Sequence, residues 1–312
     1  MQVVSLLAMY YIVYGFLYLL SLLPFWVLHG ISSLVYFFLY RVFGYRKKVV
    51  MANLLLAFPE KTEAERDAIA AKFYQHLCDT FLETIKLLSI SGKELKRRFE
   101  VNEEGLEAAY AANKVVYVYG MHNFNWELAQ QGISQIARYP YVAIYMPLSN
   151  AVMERLIKKL RGRFGSILIP ATDFKTHYLK YNKDPHMLIS GFDQSPGTGD
   201  KAYWMQFFNH PTGFVKGGEK GARINRAAVV FLHFYPKRRG YYKLETHFVT
   251  ADARSLEDGA LTLQYARYIE TCVRHQPANY LWSHRRWKLP WKPEYKELWI
   301  DEKALPPAEG AQ

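Results

Sequence analysis

The stretch VVYVYGMHNFNWE, residues 115–127, indicates the fold class of this chain. Its first six residues form a short apolar run of Val and Tyr, which is typical of a buried strand. His122 lies directly after this run. A helix that begins near Asn123 or Asn125 would place Glu127 in its first turn. A strand that leads directly into a helix is a building block of α/β folds.

Similar apolar runs recur further along the chain and alternate with helical stretches. They lie at 141–146, 166–170, 186–192, 227–235 and 242–250. Before them, residues 62–90 predict a long amphipathic helix, with Thr62 and Glu65 at the positions of a capping box. Strands that alternate with helices favour an α/β fold with a mixed sheet flanked by helices. We expect one domain of catalytic size over residues 41–300, followed by a polar tail at 301–312.

The first forty residues carry no acidic side chain, and the first Lys or Arg is Arg41. Residues 3–23 form an uncharged run that would measure about 31 Å as a helix, close to the thickness of a bilayer's hydrocarbon core. Pro24 ends this run, and residues 25–40 continue as a second apolar helix that is short for a membrane span. We therefore expect a membrane anchor over 1–40, with a transmembrane helix at 3–23 and an interfacial helix at 25–40.

Basic residues follow the two apolar helices at once and predict the orientation of the chain. They are Arg41, Arg46, Lys47 and Lys48. By the positive-inside rule, they place the rest of the chain on the cytoplasmic face. No basic side chain precedes Val3, which argues against a cleavable signal peptide. The alternative is that residues 3–40 form a core hairpin of a soluble protein, which would need protein covering all its faces.

The composition limits the class of protein and of partner. The 312 residues are 50% hydrophobic and 16% aromatic, which is too apolar for a disordered chain. The net charge of +12 predicts an acidic partner such as an anionic lipid, an acidic carrier protein or a nucleic acid. A nucleic acid is disfavoured because the aromatic residues lie mainly in apolar runs and not among Lys and Arg. The two cysteines, Cys78 and Cys272, favour a reducing compartment.

Signatures of nucleotide and metal enzymes are absent from the sequence. It contains no P-loop, no H-E-x-x-H zinc motif and no G-x-S-x-G nucleophile motif. Cys272 and His275 form a lone C-x-x-H without a second pair, which argues against zinc. Gly197 and Gly199 lack the third glycine of a dinucleotide-binding loop. We therefore expect neither a metal nor a cofactor.

His122 and Glu127 are the residues whose chemistry stands out. Five residues on a regular helix lie about 140° apart, so the two side chains can meet only if His122 lies in the loop before the helix. Glu127 would then hold one ring nitrogen, and the other could take a proton from a substrate hydroxyl. No Ser or Cys adjoins the pair, so it suits direct transfer to that hydroxyl without a covalent intermediate. The alternative is that His122 caps the helix while Glu127 faces solvent.

Further blocks of sequence accompany this pair. They are Tyr145–Asn150 followed by Arg161–Gly165, Asp193–Pro196, Phe207–Gly218 and Gln276–Lys288. With His122 and Glu127, they resemble the bacterial late acyltransferases of lipid A biosynthesis, within the lysophospholipid acyltransferase superfamily. The mark of that superfamily is a His, four residues, and then Asp or Glu. The block at 276–288 is the most specific string, and the resemblance extends from the anchor to about residue 290.

The resemblance implies a glycerolipid acyltransferase-like fold and a membrane-anchored acyltransferase. Such an enzyme moves a fatty acyl chain from a thioester, of acyl carrier protein or else acyl-CoA, to a hydroxyl of a membrane lipid, here a lipid A precursor. It implies His122 as general base and Glu127 as the residue that orients it. It also implies a single-pass protein of the bacterial inner membrane with its catalytic domain in the cytoplasm. The alternatives are a lysophospholipid, glycolipid or aminolipid acceptor and, from another class, a non-catalytic lipid-binding membrane protein.

Five residues in these blocks are candidates for substrate binding. Arg161 and Arg163 could bind acceptor phosphates as bidentate donors, or they could be the solvated end of a helix. Asp193 could line the pocket or cap a turn in Asp-Gln-Ser-Pro. Gly218 could let backbone amides approach an oxyanion or phosphate, or it could belong to a plain turn before a helix. Arg285 could contact a headgroup or pack on aromatic rings.

Overall fold

The computed structural model describes residues 2–180 and 185–302, so most of the polar tail expected at 301–312 lies outside the described residues. The α-helices are α1 (Gln2–Leu22), α2 (Phe25–Tyr36), α3 (Lys47–Ala57), α4 (Glu63–Lys86), α5 (Gly92–Arg97), α6 (Glu104–Ala112), α7 (Trp126–Ser134), α8 (Ala151–Arg161), α9 (Phe174–Tyr178), α10 (Gly217–Ile224) and α11 (Ala260–His275). The strands are β1 (Phe99–Asn102), β2 (Val115–Gly120), β3 (Tyr141–Tyr145), β4 (Ile167–Pro170), β5 (His186–Gly191), β6 (Ala202–Phe207), β7 (His210–Val215), β8 (Ala228–Arg238) and β9 (Tyr241–Thr250).

Seven strands form one sheet in the order β1-β9-β8-β2-β5-β3-β4. Neighbouring strands pair in parallel except for β8 and β9, which are antiparallel. The expected mixed sheet flanked by helices is therefore confirmed, and each run that the sequence predicts as a strand forms one. The sequence does not predict β1 or the separate β6–β7 pair. Pro211 and Gly213 lie within β7, and both residue types argue against a strand.

The alternating side chains of β2 divide the core into two layers. Val116 and Val118 face one layer, and Tyr117 and Tyr119 face the other. All four side chains are buried. A sheet that is covered on both faces has strands that are apolar throughout, which explains the continuous apolar run at 115–120.

Helix α4 begins with the capping box that the sequence predicts. The backbone N of Thr62 donates to Oε2 of Glu65 at 2.7 Å, and the backbone N of Glu65 donates to Oγ1 of Thr62 at 3.3 Å. The helix ends at Lys86, a few residues before the expected end at 90. Its buried side contributes residues to the core and, as described below, to the support of the candidate active site.

Helix α1 packs along α4 and α8 and leaves its other side exposed. The guanidinium carbon of Arg155 in α8 lies 4.3 Å from the ring centroid of Tyr10. The ammonium of Lys159 lies 4.0 Å from the ring centroid of Tyr14. Large apolar side chains are exposed on α1 and α2, so these helices do not form the alternative, a buried hairpin. The exposed side chains are Leu6, Leu7, Met9, Tyr11, Ile12, Phe16, Tyr18, Leu19, Leu22, Trp26, Leu34 and Val35.

Helix α2 continues past Tyr36 through a π-helical turn, Phe37–Val42. Within the described residues, one segment is long and apolar enough to cross a membrane, and it is Phe25–Val42. The segment Leu6–Leu22 of α1 counts as a shorter apolar helix. Helix α1 as a whole covers 21 residues, close to the expected helix at 3–23, and the π-helical turn carries the second apolar helix two residues past its expected end at 40.

Gly105, near the start of α6, lies directly against β9 and provides a test of this packing. A Cβ at this position would lie 2.6 Å from the backbone O of Thr246. We expect Gly105→Ala to push α6 from the sheet and to lower the free energy of unfolding by about 1–3 kcal/mol.

Gly221 in α10 is the matched control. Its Cβ would meet the Tyr117 ring at 3.5 Å, an ordinary contact. Because Ala favours helix over Gly, Gly221→Ala should leave stability unchanged or raise it by up to about 1 kcal/mol. Thermal unfolding of the purified protein in detergent measures both variants, and equal midpoints would contradict the packing described here.

Candidate active site

The pairing of β2 with β5 brings together two residues that lie 71 positions apart in the chain. Gly120 at the end of β2 is the register partner of Gly191 at the end of β5. Because the strands are parallel, their chains leave the sheet at the same edge, and two residues later they reach His122 and Asp193. Nδ1 of His122 lies 2.6 Å from Oδ1 of Asp193, and the backbone N of His122 donates to Oδ2 at 2.9 Å.

Glu127 does not hold the His122 ring, contrary to the expected pair. His122 lies in the loop before α7, as that pair requires, but the carboxylate of Glu127 is taken by Arg161 at the end of α8. Nε of Arg161 donates to Oε2 of Glu127 at 2.9 Å, and Nη2 donates to Oε1 at 2.5 Å. A guanidinium that binds a carboxylate through two parallel bonds is a stronger partner than a neutral imidazole. The His122 ring accordingly pairs with Asp193.

The two arginines at the end of α8 take different positions. Arg161 lines the cavity described below, and its bidentate face is occupied by Glu127. Arg163 donates to the backbone O of Leu87 and is not among the residues that line this cavity. Arg163 is exposed two residues past the end of α8, whereas Arg161 is partly buried and has its bidentate face occupied.

Gly218 and Arg285 also lie away from the cavity lining. A Cβ on Gly218 would lie 2.7 Å from the Phe192 ring, so the glycine permits α10 to pack closely beside the loop that carries Asp193. Arg285 is exposed, whereas the next residue, Arg286, is buried with its guanidinium carbon 4.2 Å from the Phe214 ring centroid. The packing on aromatic rings that the sequence allowed for Arg285 is therefore made by Arg286 instead.

A cavity of about 470 Å³ opens at this edge of the sheet. Its lining combines the ends of β2, β3 and β5 with the loops that follow them, which is where open α/β sheets place their ligands. Residues of the lining include His122, Asn123, Trp126, Tyr145, Met146, Arg161 and Leu281. The His122 side chain is 28% exposed and Asp193 is buried beneath it. A substrate in the cavity can therefore reach the imidazole, whereas Asp193 is shielded from it.

The two side chains of this pair alter each other's acidity. Burial would lower the pKa of His122, but the Asp193 carboxylate outweighs burial and raises it above the usual value. Burial would raise the pKa of Asp193, but the His122 ring and its backbone N–H hold it below the usual value. An ionised Asp193 accepts the proton on Nδ1 and leaves Nε2 as the basic nitrogen, with a basicity greater than that of free imidazole.

The C-terminal block supports the loop of Asp193. The backbone N of Ser195 donates to Nε2 of His284 at 3.1 Å, and Oγ of Ser195 donates to the backbone O of Arg286 at 2.5 Å. Burial lowers the pKa of His284 to about 4, so the ring is neutral and can accept this bond. Sequence analysis did not identify His284 or Ser195, because contacts between side chains and backbone across 89 positions leave no spacing pattern.

The loop between His122 and α7 is anchored from below by two asparagines. Nδ2 of Asn123 donates to the backbone O of Phe234 at 3.0 Å. Asn125 adopts the left-handed conformation, with φ of 59°, which Asn tolerates better than most residues. Its Nδ2 donates to Oε2 of the buried Glu83 at 2.6 Å. The two polar residues at these positions therefore fix the backbone that carries His122.

The effect of Asp193 on His122 can be measured directly. With Asp193→Asn, burial is no longer opposed by a negative charge, and the pKa of His122 should fall below that of the wild type. Histidine-selective NMR titration of the protein in detergent follows the ring. Glu127→Gln is the control, and it should move the His122 pKa less because this carboxylate pairs with Arg161. An unchanged pKa in Asp193→Asn would show that the two groups do not interact.

Known proteins are similar to this chain over most of its length. The model of the family described as bacterial lipid A biosynthesis acyltransferase matches residues 3–289. The chain is 25% identical to the lipid A biosynthesis lauroyltransferase of Escherichia coli (strain K12) over 284 residues, covering 88% of this chain and 89% of the relative. It is 23% identical over 248 residues to the palmitoleoyltransferase of the same strain and to the lipid A biosynthesis acyltransferase of Shigella flexneri, covering 78% of this chain and 79% of each relative.

The family match extends over nearly the whole chain, from the first apolar helix to the C-terminal block that supports Asp193. It includes both residues of the His122–Asp193 pair and the cavity that His122 borders. The expected resemblance is confirmed, and the protein is an enzyme of the transferase class. The chain belongs to the family of bacterial lipid A biosynthesis acyltransferases.

Proposed function

We propose that the protein transfers a fatty acyl chain from a thioester to a hydroxyl of a lipid A precursor, with His122 as the general base. The observation that carries this proposal is the 2.6 Å contact between Nδ1 of His122 and the buried Asp193, made at the wall of a cavity. An imidazole held by a buried carboxylate is the arrangement that serves as base in many acyl-transfer enzymes.

The chemistry requires one base and no covalent enzyme intermediate. Nε2 of His122 takes the proton of the acceptor hydroxyl while its oxygen attacks the thioester carbonyl. The tetrahedral intermediate collapses, the carbon–sulfur bond breaks, and the imidazolium returns the proton to the departing thiolate. Asp193 keeps the proton on Nδ1 and stabilises the transient imidazolium. Because a thioester is already activated, this proton transfer and stabilisation of the oxyanion suffice.

Glu127 contributes to this reaction through Arg161 and not through the imidazole. The carboxylate fixes the guanidinium at the cavity wall by two hydrogen bonds. Burial would lower the pKa of Arg161, but Glu127 outweighs burial and raises it, so the guanidinium stays charged beside the substrate. We therefore assign Glu127 as a positioning residue for Arg161, with Arg161 contacting substrate oxygens. Roles for Arg163, Gly218 and Arg285 in binding substrate have less support, since they lie outside the cavity lining.

Acyl carrier protein is the proposed donor, with acyl-CoA as the alternative. The surplus of 40 Lys and Arg over 28 Asp and Glu favours an acidic carrier protein and an anionic acceptor. Among acceptors, the family relationship favours a lipid A precursor over a lysophospholipid, a glycolipid or an aminolipid. A non-catalytic lipid-binding protein would not require a buried carboxylate behind an accessible imidazole.

We further propose that the chain is attached to the inner membrane through its first two helices, with the folded domain on the cytoplasmic side. The exposed face of α1 includes Ile12, Phe16 and Leu19, which suits entry into the bilayer. For α2 the contacts support a position in the interface. Its His29 lies 2.7 Å from Glu83, and Oγ of Ser32 donates to Asp79 at 2.5 Å. If α2 crossed the bilayer, the carboxylates of Glu83 and Asp79 would enter the hydrocarbon, at a cost on the order of several kcal/mol each.

Acyl transfer by purified protein tests the catalytic assignment. Labelled acyl carrier protein or acyl-CoA is offered with a panel of lipid acceptors, and His122→Ala should lower kcat by about 10²–10⁴-fold. The dependence of activity on pH distinguishes the role of Asp193 from that of Glu127. Activity rises with pH as Nε2 loses its proton, so in Asp193→Asn the rise should move to lower pH. In Glu127→Gln activity should fall while the rise keeps its position.

Three outcomes would contradict this assignment. Equal transfer by the wild type and His122→Ala would remove the imidazole from the mechanism. Failure of the wild type to acylate any acceptor in the panel would favour the lipid-binding alternative. If the pH profile shifts in Glu127→Gln as much as in Asp193→Asn, Glu127 interacts with the His122 ring and not only with Arg161.

The orientation of α2 is tested with spin labels at Trp26→Cys and Phe38→Cys, two exposed positions. The native cysteines, Cys78 and Cys272, are buried, so labelling is selective. The two positions lie about 18 Å apart along the helix. In lipid vesicles, collision with oxygen and with a water-soluble nickel chelate should report similar, shallow depths for both labels. Depths that differ by most of that separation would show that α2 crosses the bilayer.

A further inference from the structure

A second cavity, of about 690 Å³, adjoins the loop that carries His122. Phe124 lines this cavity, whereas the neighbouring Asn123 lines the active-site cavity. The other walls come from one side of α4, from the turn between β8 and β9, and from residues 275–279. Neither His122 nor Asp193 borders it, so the proposed acyl transfer leaves this cavity without a role. We call it the basic cleft.

Lys and Arg outnumber Asp and Glu in the lining of the basic cleft. The cations are Lys61, Lys72, Lys237, Arg238 and Arg239. The lining contains two carboxylates, and both are occupied by other groups. Glu65 accepts from the backbone N of Thr62 in the capping box. Asp79 accepts from Arg239 at 2.6 Å and from Ser32 at 2.5 Å.

Three of these cations have no carboxylate partner among the residues that the structure describes. Arg239 is paired with Asp79, and Lys237 is paired with Glu100. The remaining three are Lys61, Lys72 and Arg238. Lys72 and Arg238 are exposed, so their charges stay hydrated, and the guanidinium carbon of Arg238 lies 3.9 Å from the ring centroid of Tyr241. The basic cleft therefore offers uncompensated positive charge to an anion.

Apolar side chains form part of the lining of the basic cleft, beside the cations and buried polar groups such as Thr80 and Asn279. Ile69, Phe124, Pro236 and Pro277 contribute to the lining alongside the cations. A free inorganic anion would gain little from these apolar side chains, whereas an amphiphile with an anionic head could contact both them and the cations. Lys and Arg side chains are the usual partners of phosphate groups.

The basic cleft lies directly beside α2. Nη1 of Arg239 donates to Oγ of Ser33 at 3.0 Å, and Nη2 donates to the backbone O of His29 at 2.9 Å. Exposed apolar side chains of α2 include Trp26 and Leu34. With α2 in the membrane interface, a point that rests on the proposed membrane attachment, the cleft lies at the level of lipid phosphates.

We propose that the basic cleft is a binding site for the phosphate group of an anionic lipid, separate from the active site. Lys72 of α4 and Arg238 at the end of β8 contact the phosphate, and the apolar part of the lining receives the adjoining glycerol and acyl carbons. A phosphate could also come from the pantetheine arm of the thioester donor. The membrane lipid is favoured because the cleft adjoins α2, whereas His122, which the donor's thioester must reach, borders the other cavity.

Calorimetric titration of the full chain in a non-ionic detergent tests the proposal. The probe is dihexanoyl phosphatidic acid, and dihexanoyl phosphatidylcholine is the zwitterionic counterpart with the same acyl chains. The acidic lipid should bind at least about tenfold more tightly, because two cations meet a phosphate whose charge is not balanced by choline. The double variant Lys72→Glu/Arg238→Glu should lose this preference.

The double variant Lys93→Glu/Lys201→Glu is the matched control. It makes the same change of charge at exposed positions outside the basic cleft, and it should bind the acidic lipid as the wild type does. Equal loss of binding in the two double variants would overturn the proposal, because it would show a general effect of net charge. Equal affinity for the two lipids would also overturn it.

Two further titrations are needed. One distinguishes a lipid phosphate from a pantetheine phosphate, and the other distinguishes lipid binding in the basic cleft from binding in the active site. If 4′-phosphopantetheine binds as tightly as the phosphatidic acid and competes with it, the assignment to a lipid is wrong. His122→Ala should keep the lipid affinity of the wild type, and a loss there would place the lipid in the active site. Because this binding requires no turnover, failure of acyl transfer would contradict the proposed reaction without affecting the result for the cleft.

Discussion

The in-register pairing of β2 with β5 is the constraint on which the site depends. Gly120 opposite Gly191 sets the point at which both chains leave the sheet, and from there an equal two-residue step reaches His122 and Asp193. A slip of one residue would turn the side chains of a strand to the other face and separate the pair. Gly191 also provides space, since a Cβ there would lie 3.0 Å from Cε1 of His122.

The sequence predicts the parts of the fold that rest on local pattern. Apolar runs predict the six strands from β2 to β5, β8 and β9, and the Thr62–Glu65 box predicts the start of α4. The β6–β7 pair escapes prediction because Pro211 and Gly213 are poor strand residues, and its pairing gives no signal that local pattern can detect. The sequence also does not predict the end of the second apolar helix at Val42, because a π-helical turn depends on contacts with the rest of the fold.

The sequence predicts which residues form the candidate site but not which of them pair with each other. His122, Glu127, Arg161 and Asp193 all lie at or beneath the cavity, yet the motif suggests the wrong partner for the imidazole. Spacing along the chain brings Glu127 near His122, whereas the register of a parallel sheet brings Asp193 nearer. A guanidinium from α8 then takes the carboxylate of Glu127. Which carboxylate serves which cation is decided by geometry across elements, and one sequence does not contain that information.

Helix α4 connects this site to the helices proposed to meet the membrane. Its Glu83 is buried and contacts His29 of α2, Asn125 of the His122 loop and the hydroxyl of Tyr242. One turn earlier, Asp79 binds Ser32 of α2. Polar contacts thus hold α2 to the domain on one side, which leaves its apolar side free for lipid. Since directional hydrogen bonds fix orientation more strictly than apolar packing does, these carboxylates set the position of the active-site loop relative to the proposed membrane surface.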